Sequence, residues 1–381
     1  MKGRTRTFAK ISEKIVLNDQ VIWLHCASLG EFEQGRPLIE NIKSQYPNYK
    51  IVLTFFSPSG YEIQKNNPLA DVITYLPIDT IKNAKTFLDI VNPKIAIFVK
   101  YEFWPNILKE LKNRNVVTIL VSGIFRSNQV FFKDYGSWMK KSLLAFSHFF
   151  VQNENSKMLL SSIGYFNSSV SGDTRFDRVY EITHQNNHLD FVQDFVQNKY
   201  TLVAGSSWPK DEELLINYIN DVASDEEKFI IAPHNITEKG IENLQRSLIK
   251  KTTLFSDKNK NNNAQVLIVN TIGILTKIYS YANVAYIGGG FGVGIHNILE
   301  PAAYGIPIII GPNFEKFKEA VDLVNLKACF SIENQEELNK YLSQLYSDKK
   351  FREEKILTTK EYISKNIGAR EIILSYISKK I

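Results

Sequence analysis

The sequence predicts an α/β protein of two doubly wound, parallel-sheet domains that face each other across a cleft. Three observations predict it. Short β-branched runs alternate with amphipathic stretches along most of the 381 residues. Those runs are almost continuously apolar, as strands covered on both faces must be. The rhythm weakens once, over residues 175–198, and then resumes, which indicates two tandem units. The division is set at residues 1–178 and 179–381, with the last helix a candidate to pack back on the first domain.

In chain order, "VIWLHCAS", "YKIVLTFF", "DVITYLP", "KIAIFVK", "VVTILVS" and "HFFVQN" read as strands, each rich in Val, Ile or Phe and followed by turn residues. Helices are expected over 31–46, 58–66, 80–91, 104–114 and 134–146. "HQNNHLDFVQDFVQNK" is polar and lacks a strand. The second series is "YTLVAGS", "KFIIAPH", "AQVLIVN", "NVAYIGGG", "IPIIIGP" and "KACFSI". "SDKNKNNN" (256–263) is a low-complexity loop, and 335–381 reads as two or three helices.

Composition narrows the function. The chain is 44% hydrophobic with 24 Phe and 18 Tyr, enough to fill two cores. Cys26 and Cys329 are the two cysteines, so no disulfide framework exists. The net charge of +6 is spread along the chain without an arginine-rich segment, which makes nucleic acid the weakest of the anionic partners. No apolar run reaches the roughly 20 residues of a spanning helix. The basic start, "MKGRTRTFAKISEKI", reads equally as a solvated arm or a membrane-surface segment.

Ligands of open α/β sheets bind beyond the strand carboxyl ends, and the candidate residues lie there. In "GGGFGVGIHNILEPAAYGIPIIIGP" (288–312) glycines allow close backbone approach, and a helix expected to open near Asn297 would offer free N–H groups to a phosphate. Glu300 is placed to accept from vicinal hydroxyls of a ribose. A glycine-rich turn capped by Asn297 is the plainer alternative. Glu31, after "WLHCASLG", and Glu102, in "VKYEFWPN", each follow a strand; such a pair can divide into a general base and a polarising partner. Arg175, between Asp173 and Asp177, is either a surface ion pair or a cation for an anionic donor, and His234 in "IAPHN" either caps a turn or contacts phosphate. His184 and His188 lack a third ligand and read as solvated; no D-x-D diphosphate clamp occurs, so no metal and no cofactor are expected.

Taken together and in order, "WLHCASLGEFEQGRPLI", "YEFWPN", "SGDTRFD", "APH", "NTIGILTKIYSYANVAYIGGGF" and "HNILEPAAYGIPIIIGP" resemble the 3-deoxy-D-manno-octulosonic acid (Kdo) transferases, inverting lipopolysaccharide glycosyltransferases of the GT-B fold. The resemblance implies a CMP-Kdo donor, a lipid A precursor (lipid IVA) as acceptor, no metal, and work at the cytoplasmic face of a bacterial inner membrane. It implies Glu31 as catalytic base, Glu102 as the last acid of an E-T-E-x-W-P-N motif, and Arg175 at a basic position that assists the transition state. Pro233 and His234 match a Pro-Arg CMP contact, Ile272, Gly273 and Ile274 a Met-Gly-Glu loop, and Asn297, Ile298, Leu299 and Glu300 an N-x-L-E segment.

The departures are Lys100 where an acid is usual, His234 where Arg is usual, and a 272–274 loop without its Glu. The family's apolar N-terminal anchor is not seen in this chain, which is read as a truncation or a mis-set start. Another GT-B enzyme, a UDP-sugar transferase or epimerase, and a non-catalytic binding module are the alternatives. The number of Kdo residues transferred and the oligomeric state stay open.

Overall fold

The computed structural model describes Arg4 and residues 6–257 and 263–381. The chain forms two compact units, Met1–Arg178 with Asn366–Ile381, and Val179–Lys365. The "SDKNKNNN" loop lies largely outside the described residues, as does part of the basic start.

The first unit carries strands β1 (Gln20–Cys26), β2 (Tyr49–Phe55), β3 (Val72–Tyr75), β4 (Ile95–Val99), β5 (Val117–Gly123), β6 (His148–Val151) and β7 (Ser168–Val170). They pair in parallel in the order β3-β2-β1-β4-β5-β6-β7. Side chains alternate between faces along each strand. From β1, Val21 and Trp23 enter one core, while Ile22, Leu24 and Cys26 enter the other. The second core also takes Ile373 and Ile377 from the helix Ala369–Ile377, so the end of the chain covers this sheet. On the same face Gly35 lets the helix Leu29–Gln45 come close: an added Cβ would sit 3.0 Å from a Leu24 methyl.

The basic start is not a solvated arm where it is described. It forms a helix, Thr7–Ser12, whose Ile11 is fully buried, and Ile15 beyond it is buried too. Arg4 donates to the Phe56 carbonyl and Thr7 to that of Tyr75. The helix expected over 134–146 is broken into a 3-10 turn, a helix Ser137–Ser142 and another 3-10 turn. Gly136 stands at the first break, packed against the Val130 carbonyl, where a Cβ would lie 1.7 Å from the oxygen.

The second unit repeats the plan with β8 (Tyr200–Ser207), β9 (Glu227–Pro233), β10 (Thr252–Leu254), β11 (Val266–Ile268), β12 (Val284–Ile287), β13 (Ile308–Ile310) and β14 (Cys329–Ser331). The parallel order is β10-β11-β9-β8-β12-β13-β14. The stretch read as polar, 184–199, holds a helix, Asp190–Val196, that buries Phe191, Val192, Phe195 and Val196. No helix among the described residues is long and apolar enough to cross a membrane.

Candidate active site

In the first sheet the order of strands reverses between β1 and β4, so the chain leaves their carboxyl ends in diverging directions and opens a crevice. Glu31 stands in the first turn of the helix that follows β1, and Glu102 three residues beyond β4. Glu31 is only 5% exposed. Its carboxylate accepts the Ala27 N–H. Burial first, and then the Glu102 charge, push its pKa from 4.5 up to about 7, while the Ala27 N–H, Lys100 and the Ser28 N–H pull the other way. The Lys100 that replaces an acid in the family motif thus moderates Glu31. It does so from a left-handed turn at the end of β4, with φ 63°.

Glu102 is held from beneath by aromatic donors. Its Oε2 lies 3.0 Å from Trp104 Nε1 and 3.2 Å from His25 Nε2. His25 Nδ1 is 2.9 Å from the Thr54 hydroxyl, which accepts from Trp23 Nε1 at 2.8 Å. Trp23 donates to Thr54 and Trp104 to Glu102; Trp104 Nε1 also lies 3.1 Å from His25 Nε2, so His25 bridges Thr54 and Glu102 through its two ring nitrogens. His25 is fully buried on β1. Sequence reading missed it as a site residue because one histidine inside an apolar strand carries no signal of its own; its parity with Trp23 was the available clue.

The pair makes a prediction. Glu102→Gln removes the second of the two influences that raise Glu31 and leaves burial, the larger, in place. The acid limb of kcat/KM against pH should therefore move to lower pH without returning to the ordinary carboxylate range. A limb that stays where it was would show the two carboxylates uncoupled.

Arg175 is not a free surface cation. Its Nε donates to Asp173 Oδ2 at 3.0 Å, and its backbone N–H to Oδ1 at 2.9 Å. Gln34 and Gln152 also donate to Asp173. Burial acts to raise the Asp173 pKa, but Arg175 and these donors hold it below the usual carboxylate range. The guanidinium is thereby fixed, with part of its surface open.

In the second unit the order reverses between β8 and β12. Asp211 organises this crevice: it accepts from the N–H groups of Trp208 (2.9 Å) and Gly289 (2.8 Å) and from the Tyr286 hydroxyl (2.8 Å). Trp208, after β8, stacks on His234, after β9, with ring centroids 4.8 Å apart and planes 12° apart. His234 meets His296 at 4.4 Å, and Trp208 Nε1 donates to His296 Nε2 at 3.0 Å. Pro233, the last residue of β9, sets His234 in place, and the His234 N–H donates to the Ser207 carbonyl at 2.8 Å.

The helix expected near Asn297 differs from the reading. It runs only from Leu299 to Ala303, five residues, with Ile298 at its N-cap. Asn297 Oδ1 accepts the Leu299 N–H at 3.1 Å, so the side chain already uses one of the N–H groups meant for a ligand. So short a helix carries little dipole. Glu300 is half-buried rather than buried, and accepts from Asn297 (3.0 Å) and Thr276 (2.8 Å). Thr276 belongs to the helix Leu275–Ile278, which follows the loop of Ile272, Gly273 (φ 91°) and Ile274. One hydroxyl therefore ties that loop to Glu300. Trp208 and His296 were passed over in the sequence; His296 was visible only as half of a polar pair with Asn297.

Both reversal points and the parallel order define the class first: a two-unit α/β chain of GT-B type. Solved structures of that fold match nearly all of it. UDP-GlcNAc 2-epimerase from Neisseria meningitidis aligns with a TM-score of 0.64 at 13% identity, over 94% of this chain and 100% of its own. MurG from Acinetobacter baumannii aligns at 0.58 and 10%, over 95% and 99%. Residues 3–178 match the family model for 3-deoxy-D-manno-octulosonic-acid transferase (kdotransferase). The Aquifex aeolicus 3-deoxy-D-manno-octulosonic acid transferase is 28% identical over 336 residues, 86% of this chain and 87% of that protein. The first unit thus matches the Kdo transferase family model, and the Rickettsia bellii 3-deoxy-D-manno-octulosonic acid transferase is 27% identical over 350 residues, 88% of this chain and 82% of that protein. A bifunctional glycosyltransferase/methyltransferase of Fusobacterium nucleatum is 26% identical over 373 residues, and this chain spans 58% of its length.

Proposed function

We propose that the chain transfers Kdo from CMP-Kdo to a lipid A precursor with inversion at the anomeric carbon. The observation that carries this reading is Glu31: a buried carboxylate at a crevice, with its pKa raised to about 7 beside a second acid. A base of that pKa is matched to abstracting a hydroxyl proton near neutrality. The acceptor oxygen attacks the anomeric carbon, and its proton passes to Glu31. The bond from that carbon to the CMP phosphate breaks, and CMP departs with the electron pair.

The second unit seats the cytidylate in this reading. Glu300 accepts from the ribose hydroxyls, the 272–274 loop contributes backbone groups, and Pro233 and His234 contact the phosphate. Arg175, fixed by Asp173, stabilises charge on the donor. Charge is met by N–H groups and cations, so the reaction needs no divalent ion. A lipid acceptor calls for work at a membrane surface, which the resemblance to the Kdo transferases sets at the cytoplasmic face of the inner membrane. Exposed Tyr135, Trp138, Leu144 and Phe166 support that placement. Leu144 also lines, with Lys140 and Lys141, a cavity of about 530 Å³, and such a mix of aromatic and basic groups suits an anionic lipid surface.

The test is incubation with CMP-Kdo and lipid IVA, read by mass spectrometry. The expected product is lipid IVA gaining Kdo, with turnover retained in EDTA. Thermal shift should favour CMP over UDP, and the chain should sediment with anionic vesicles. No Kdo-bearing product, with UDP stabilising better than CMP, would turn the reading toward a UDP-sugar enzyme; turnover lost in EDTA or a chain left in the supernatant would remove the metal-free or the membrane part.

A further inference from the structure

Trp208, His234 and His296 come from three segments of the second unit and meet where β8, β9 and β12 end. An indole N–H can only donate. It points at His296 Nε2, 3.0 Å away, so that nitrogen carries the lone pair and the ring proton sits on Nδ1. Protonating Nε2 would set two N–H groups head to head. His234, on the β9 side, resists a second positive charge at its face, 4.4 Å between centroids. Asp211, on the helix Pro209–Asp221, favours that charge, but its oxygens already accept from Trp208, Gly289 and Tyr286. Burial first, then His234, hold His296 below the ordinary histidine range, with Asp211 opposing. His296 Nδ1 has no hydrogen-bond partner among the described residues, and the next residue is Asn297.

We propose that Trp208 is a positioning residue of the donor site: its indole N–H locks His296 as the neutral Nδ1–H tautomer, and that N–H is the donor offered to an anionic oxygen of the sugar nucleotide. This rests on the donor-site reading above. A neutral donor keeps its hydrogen bond across the working pH range, where an imidazolium would gain and lose its charge. The oxygen is one of the nucleotide phosphate or of the sugar-acid carboxylate, and both present the same chemistry to an N–H.

Long-range nitrogen-15 correlation spectra of the full chain test the assignment. Without ligand, His296 should show a protonated Nδ1 and a bare Nε2 from about pH 6 to 8. Trp208→Phe keeps a ring there but removes the N–H; His296 should then mix its two neutral tautomers. CMP should shift the His296 Nδ1 resonance while cytidine does not; a shift with free Kdo instead would name the carboxylate as the partner. His296→Phe should weaken binding of whichever of the two, CMP or Kdo, shifts Nδ1, by about tenfold or more. A proton on Nε2 in the wild-type chain, no response to either CMP or Kdo, or a His296→Phe chain that binds the responding ligand as tightly as wild type would overturn the proposal. A wild-type chain that binds no CMP would fail the donor-site reading itself, and the ligand-free spectrum separates that outcome from failure of the tautomer.

Discussion

Glu31→Gln is expected to abolish Kdo transfer, by at least about 10²-fold in kcat, while CMP binding in calorimetry stays within a factor of about two. The substitution keeps the shape of the side chain, and the amide oxygen can still accept the Ala27 N–H that the carboxylate accepts now. What it removes is the proton acceptor. Glu31 belongs to the first unit and the candidate nucleotide residues to the second, so the loss should fall on turnover and not on the donor. Near-normal turnover would remove Glu31 as the base.

The same substitution should stabilise the fold above pH 7. The folded pKa of Glu31 lies above its unfolded value: about 7 against 4.5. The folded chain therefore binds more protons than the unfolded chain between those values, and stability falls as pH rises through that window. One pKa unit corresponds to about 1.4 kcal/mol, so the full cost at pH 8 is at most about 3.5 kcal/mol. Glu31→Gln is free of it. Its midpoint in urea should exceed that of the parent at pH 8, and the gap should close toward pH 5. Equal midpoints at pH 8 would mean that the carboxylate is not held against its own charge. A base kept under such strain is a local conflict at the place where function demands one.

That conflict shows what a sequence can carry. The central strands were legible because each is a mostly apolar run: Trp23 and Ile22 face opposite cores, and only isolated polar residues such as His25 and Thr54 interrupt the pattern. β7 and β10 were not, because Ser168–Val170 and Thr252–Leu254 are three-residue edge strands without an apolar face to announce them. The helix Asp190–Val196 was hidden in a stretch whose asparagines and glutamines outweigh two Phe-Val pairs. At the site, Glu31 and Glu102 could be found from their position after strands. His25, Trp208 and His296 could not, since each acts through a ring nitrogen whose partner lies at least 77 residues away in sequence. Spacing reveals residues that share a helix or a turn; it is silent on those that only the sheet order brings together.

Gly288→Ala should be among the most damaging single methyls in the second unit. Gly288 directly follows β12 beside β8, where its N–H donates to the Gly205 carbonyl at 2.9 Å. A Cβ there would lie 2.3 Å from the Ser206 oxygen and 2.6 Å from Ser207 Cα. Those are backbone atoms, and they cannot yield. Ser207 pairs with Pro233 of β9, and its carbonyl accepts the His234 N–H at 2.8 Å. Ser206 already sits in a left-handed turn, with φ 53°, that takes up the local register shift. Overpacking of this kind costs about 3 kcal/mol or more when side-chain motion cannot relieve it. The urea transition of the second unit should fall accordingly. CMP binding should fall with it, because pushing β8 from β12 parts Trp208 from His296. Gly30→Ala provides the contrast. An added Cβ there meets nothing within 4 Å, and the residue lies in the first turn of a helix. It should stabilise the first unit by about 0.4–1 kcal/mol, chiefly by restricting the unfolded chain. Two glycine-to-alanine changes, each beside a crevice, should thus move stability in opposite directions; a Gly288→Ala chain as stable as wild type would mean that the two strands are not in backbone contact there.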